Sequence, residues 1–200
     1  MKNNILTSAF ALLIAAVMMA IIPTEAEAAV YDDTVRLHIL ANSDSEEDQA
    51  LKYEIRDEVL QKFGTQLSAL ESAEDAEDML GGLLDEIEEF CKDEIQERGY
   101  SYDVEASLGE EWYDTRKYDS FTLPKGVYTS LRIIIGEGGG KNWWCVMFPP
   151  LCLDAATESA PADDAVKKYT DEEFILVSSN GYNVKFKMLE LISDAFSQKH

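Results

Sequence analysis

The hydrophobic residues switch from a helical to a strand period near residue 100, and that change constrains the fold more than any other feature. Between residues 46 and 99 they recur every three or four positions, as on the buried stripe of a helix. From Tyr100 to Phe148 they alternate, as on a strand with one covered face. Helix, helix, then meandering strands places the chain in the α+β class, with two N-terminal helices packed on a mostly antiparallel sheet and a C-terminal helix after it.

The first strand is expected at Val35-Arg36-Leu37-His38-Ile39-Leu40, where Val35, Leu37 and Ile39 share one face and Arg36, His38 and Leu40 the other. Ala41-Asn42-Ser43-Asp44 reads as a turn. Ser45 with Asp48 then resembles a capping box ahead of a stripe made by Leu51, Ile55, Val59, Leu60 and Phe63, which Gly64 should end. Ser72 with Asp75 opens the second helix, whose stripe runs from Ala76 to Ile95 through the weakening pair Gly81-Gly82 and stops at Gly99. Residues 127–135 are a long β-branched run that suits a central strand. The glycines of 136–140 should turn the chain so that residues 143–148 return as its hairpin partner. Periodicity vanishes in the acidic, Ala-rich residues 154–169, read as a linker. It recovers in a C-terminal helical segment, 170–200, where Thr170 and Glu173 form a capping box and Val184, Met188, Leu191 and Ile192 share a face.

The N-terminus carries a different signal. Lys2 precedes a largely apolar run from residue 5 to residue 22, Pro23 ends it, and Ala26-Glu27-Ala28 presents the small residues a signal peptidase accepts. Residues 1–28 are therefore expected to be a cleaved signal peptide, and 29–153 the functional domain. The chain has 17 basic and 39 acidic residues, a formal net charge of −22. Such a field repels phosphate backbones and anionic headgroups, so nucleic acid is not an expected partner, and the membrane is expected to matter only through the signal segment.

Catalytic patterns are sparse. The two histidines are His38 and the terminal His200, so a thiol or serine site must use His38, and no C-x-x-C or H-E-x-x-H spacing preorganises a metal. No cofactor, metal or catalytic residue is expected. The Gly136-Glu137-Gly138-Gly139-Gly140-Lys141 segment fits neither phosphate-loop spacing. Cys145 and Cys152 flank Pro149-Pro150 and could close a disulfide, leaving Cys91 as a buried thiol. Asn142-Trp143-Trp144 and the two prolines supply large rigid contact area of the kind that anchors protein interfaces.

Two segments together resemble one family. Arg36-Leu37-His38-Ile39-Leu40-Ala41-Asn42-Ser43-Asp44-Ser45, followed by Asp48-Gln49-Ala50-Leu51-Lys52, is similar to the opening motif of stage II sporulation protein R. Leu123-Pro124-Lys125-Gly126-Val127-Tyr128, with Leu131-Arg132-Ile133-Ile134-Ile135-Gly136-Glu137-Gly138 and the stretch from Asn142 through Cys152, resembles its second. The resemblance implies a signal of endospore formation. Members are secreted from the forespore into the space between the two membranes, where they trigger a membrane-bound aspartic protease to cleave the sigma-E precursor. Contact residues for that partner are expected at Arg36, His38, Asn42, Asp44, Asn142, Trp143, Trp144, Pro149 and Pro150. The competing expectation is an exported hydrolase or cell-wall glycan binder that uses His38, Cys145 and Trp143.

Overall fold

The computed structural model describes residues 7–8, 10–14, 25–118, 121–151 and 168–177. Residues 7–8 and 10–14 are helical, and among the described residues no helix is long and apolar enough to cross a membrane. Five helices and six strands follow: α1 (Glu25–Asp32), β1 (Val35–Leu40), α2 (Glu46–Val59), α3 (Ala73–Gly82), α4 (Leu84–Glu97), β2 (Val104–Tyr113), β3 (Arg116–Lys117), β4 (Thr122–Leu123), β5 (Gly126–Ile135), β6 (Asn142–Phe148) and α5 (Asp171–Val177). The mixed α and β content agrees with the class read from the sequence.

The four-stranded sheet has the order β2-β5-β1-β6. β2 pairs antiparallel with β5 and β6 antiparallel with β1, but the central pair β1–β5 is parallel, with Leu37 opposite Leu131 and Ile39 opposite Ile133. The expected β5–β6 hairpin is therefore corrected. β1 lies between those strands, because residues 139–140 hydrogen-bond to the turn that leaves β1 and carry the chain across its end. On one face Val35, Leu37, Ile39, Leu131, Ile133, Ile135 and Val104 are buried with Leu51, Ile55, Val59, Phe63, Leu80, Ile87, Cys91 and Ile95 of the helices. Burial of side chains like these contributes about 1.5–3 kcal/mol each.

Both helix starts follow their caps: Ser45 Oγ accepts from Asp48 N at 3.1 Å and Ser72 Oγ from Asp75 N at 3.1 Å. Gly64 does not end the first helix. It is buried with φ −63°, so α2 passes through a π-helical turn at Leu60–Gly64 and a final α turn at Thr65–Leu67, which together keep Leu60, Phe63 and Leu67 on the core. The second helix is broken instead. Leu83 at φ −108°, ψ 5° divides it into α3 and α4 directly after the glycine pair, where side-chain restraint is least.

α1 holds the lower end of β5. Tyr31 Oη donates to the Lys125 carbonyl at 2.8 Å and its ring lies where any side chain at position 126 would sit, which is why that residue is glycine. The expected cleavage point after Ala28 falls inside this helix. Of the expected linker, Tyr169 is buried with its hydroxyl 2.7 Å from Thr34 Oγ1, so its described end is packed. Thr170 and Glu173 cap each other at 2.6 and 3.4 Å at the start of α5. The expected helix around Val184 to Ile192 lies outside the described residues.

Candidate functional site

The turn after β1 and the glycine segment after β5 fold into one clamp. Asn42 Nδ2 and Ser43 Oγ donate to Asp48 Oδ2 at 2.9 and 2.5 Å, fixing the turn on the first residues of α2. Across the gap, Glu137 N donates to Asn42 Oδ1 (3.0 Å), Gly139 N to the Asn42 carbonyl (3.1 Å), Gly140 N to the Ala41 carbonyl (3.0 Å) and Lys141 N to Asp44 Oδ1 (2.7 Å). The buried Lys52 closes the far side, donating to Gln49 Oε1 at 2.7 Å and the Lys141 carbonyl at 2.9 Å. The hydrogen bond from Ser43 holds the Asp48 carboxyl below its usual range, outweighing burial, while burial lowers the Lys52 ammonium. A side chain at Gly140 would overlap the Ser43 carbonyl, and Gly136 and Gly138 have φ of 58° and 62°, so the close approach depends on glycine. Asn42 and Asp44, expected at a partner contact, thus direct named polar atoms inward to hold this clamp.

Arg36 and His38 lie on the other sheet face, where alternation also buries them. The His38 ring stacks on Trp144 with centroids 5.5 Å apart, and its Nδ1 lies 2.8 and 2.9 Å from the two oxygens of Glu111. Tyr113 Oη donates to Glu111 Oε2 at 2.9 Å and lies 2.7 Å from Ser130 Oγ. The Arg36 guanidinium, wholly buried, lies 3.8 Å from the centre of the Tyr113 ring and donates through Nη2 to Tyr118 Oη at 2.8 Å. Arg116 lies over Trp144 at 3.8 Å. Burial raises the hydroxyl pKa of both Tyr113 and Tyr118, so both stay neutral, Tyr113 donating to Glu111 and Tyr118 accepting from Arg36. Among the described residues Arg36 forms no ion pair, and Arg36 Nε, Arg36 Nη1 and His38 Nε2 are buried without a hydrogen-bond partner.

Glu111, Tyr113, Tyr118 and Ser130 escaped the sequence reading. Period two does put Glu111 and Tyr113 on one face of β2, yet the stretch from Trp112 to Tyr118 reads simply as polar and extended. Only the register, with Glu111 opposite Tyr128, brings it toward β1.

The remaining expected residues do not join this cluster. Trp143 pairs with Ile39 and so faces the helices, where it meets the Tyr53 ring edge-on at 5.4 Å and the Arg56 guanidinium at 4.6 Å. Trp144 faces the opposite side, so the two tryptophans do not form one platform. Asn142 is half-buried at the clamp end of β6, whereas Pro149 is buried and Pro150 half-buried past its other end. A bulge between Val35 and Arg36 sets Phe148 opposite Val35, which upsets simple alternation at Met147 and Phe148. Cys145 is opposite Leu37 while His38 is opposite Trp144, so His38 and Cys145 project from opposite faces. A hydrolase built on that pair is excluded by the register. Cys145 is disulfide-bonded, Cys91 is a free buried thiol pushed up to about 12 by burial, and Cys152 lies outside the described residues.

The polar face and the clamp both fall inside the stretch that known proteins share. Residues 31–158 match the stage II sporulation protein R family. The stage II sporulation protein R of Bacillus subtilis (strain 168) is 35% identical over 185 residues, 83% of either chain. The chain belongs to the stage II sporulation protein R family. Its role is accordingly in sporulation. The family match runs from Tyr31 through every strand, so it takes in the clamp, the Arg36–His38 cluster and both tryptophans. No solved structure matches the chain.

Proposed function

We propose that this member of the family is a secreted signal: exported from the forespore on its N-terminal segment, it acts between the two membranes. There it binds the extracytoplasmic part of a membrane-bound aspartic protease and switches on cleavage of the sigma-E precursor. The reading is supported above all by one observation. The two segments that carry the family resemblance, 36–52 and 123–152, meet in space, because Asn42 and Asp44 bind residues 137–141. A pair of distant motifs joined this way supports a rigid surface presented to a partner. Binding activates only through differential affinity: a hundredfold preference for the active arrangement supplies about 2.7 kcal/mol. Export also suits a Cys145–Cys152 disulfide, which we include in the proposal.

The test is co-expression of the chain, with and without residues 1–28, beside the protease and the sigma precursor in a non-sporulating host. Cleavage is expected only with the exported form. Cleavage that proceeds equally without the chain would overturn the reading.

A further inference from the structure

The clamp and the polar face leave unexplained the lower end of the sheet, where Trp112 is 61% and Val127 42% exposed. The two are cross-strand partners and project from the same, helix-covered side of the sheet. They lie on the edge strand β2 and its neighbour β5. Beside them runs a groove between α1 and α3, lined by Tyr31, Asp32, Glu74, Glu77, Glu110 and Val127. Asp32, Glu74, Glu77 and Glu110 form no ion pair among the described residues. A large apolar pair on a sheet edge invites association unless a partner covers it, and here it is flanked by carboxylates that lack counter-charge.

We infer that this groove docks a short extended segment of the protein partner in which a lysine or arginine adjoins an apolar residue. The cation enters among Asp32, Glu74, Glu77 and Glu110, and the apolar side chain covers Trp112 and Val127. Charge complementarity selects this occupant. A second copy of the chain would bring another net charge of −22 to a surface already lined with carboxylates. An acidic peptide meets the same repulsion, whereas desolvated tryptophan beside a satisfied charge pair is the usual make-up of an interface hot spot. The inference rests on the proposed partner binding, and it adds the surface and the chemistry of the segment recognised.

The test follows the indole signal of Trp112 by NMR in the full-length chain without its signal segment. The signal is assigned by its loss in Trp112→Phe, and the probe is a capped peptide of alternating lysine and valine. Saturable shifts of Trp112 and of the Glu110 and Val127 amides are expected with this peptide and not with its glutamate-valine counterpart. Affinity should fall about tenfold or more in Glu74→Gln/Glu77→Gln and on raising salt. Equal shifts with both peptides, contacts from Trp112 to residues 178–200 in the free chain, or shifts that follow chain concentration alone would each overturn it. In the cleavage assay, a folded Trp112→Ser chain as active as wild type would sink the groove and leave the signalling reading standing. An inactive wild-type chain would do the reverse.

Discussion

Asp48 shows how one carboxylate ties two distant stretches together. Its 4% exposure and the hydrogen bonds its carboxylate accepts from Asn42 and Ser43 mean that Asp48→Asn leaves donors facing donors. The substitution should lower stability by about 1–3 kcal/mol, read as a drop in urea midpoint at unchanged slope. The depressed Asp48 pKa contributes stability that is full above the ordinary carboxylate pKa and is lost as pH falls through the folded value, so wild type and Asp48→Asn should converge in acid. Arg36 behaves differently, since its charge has no carboxylate partner to lose. Arg36→Met should change stability by no more than about 1 kcal/mol, and a calorimetric scan checks it. The sequence placed Arg36 and His38 together on one face of β1. It could not disclose that this face is covered, because the cover comes from Glu111, Tyr113 and Tyr118, some 75 residues away.

Local chemistry made most elements legible, and long-range pairing did not. The caps at Ser45, Ser72 and Thr170 worked as read because a cap is decided within three residues. The β5–β6 connection misled because a glycine run that could form a hairpin turn instead wraps the 41–44 turn. Gly140→Ala forces a methyl group onto the Ser43 carbonyl and should cost about 1–3 kcal/mol, with faster amide exchange at 139–141 as the direct readout. A second element-level prediction concerns the junction of α1 and α5. Asp33 is raised to about 6, first by partial burial and then by its hydrogen bond with Glu173. An acid whose folded pKa is raised contributes its full stability below the unfolded value and loses it as pH rises through the folded one. Protection of α1 and α5 amides should therefore weaken between about pH 4 and pH 7 once intrinsic exchange is corrected, and Asp33→Asn should remove that dependence.

At the scale of the molecule, a parallel β1–β5 pair at the centre of the sheet brings residues 36–44 beside 129–141, and that adjacency is what a linear reading could least supply. The composition bears on what lies outside the fold by exclusion: a net charge of −22 disfavours nucleic acid as a partner. The proposed activation works by stoichiometric contact between the chain and the protease. Its most direct test is a dose response, in which the purified signal-free chain is titrated onto membranes bearing a known amount of the protease and precursor cleavage is followed. Saturation near one chain per protease is predicted, whereas full activation at about a hundredth of that ratio, or no activation at any dose, would contradict it.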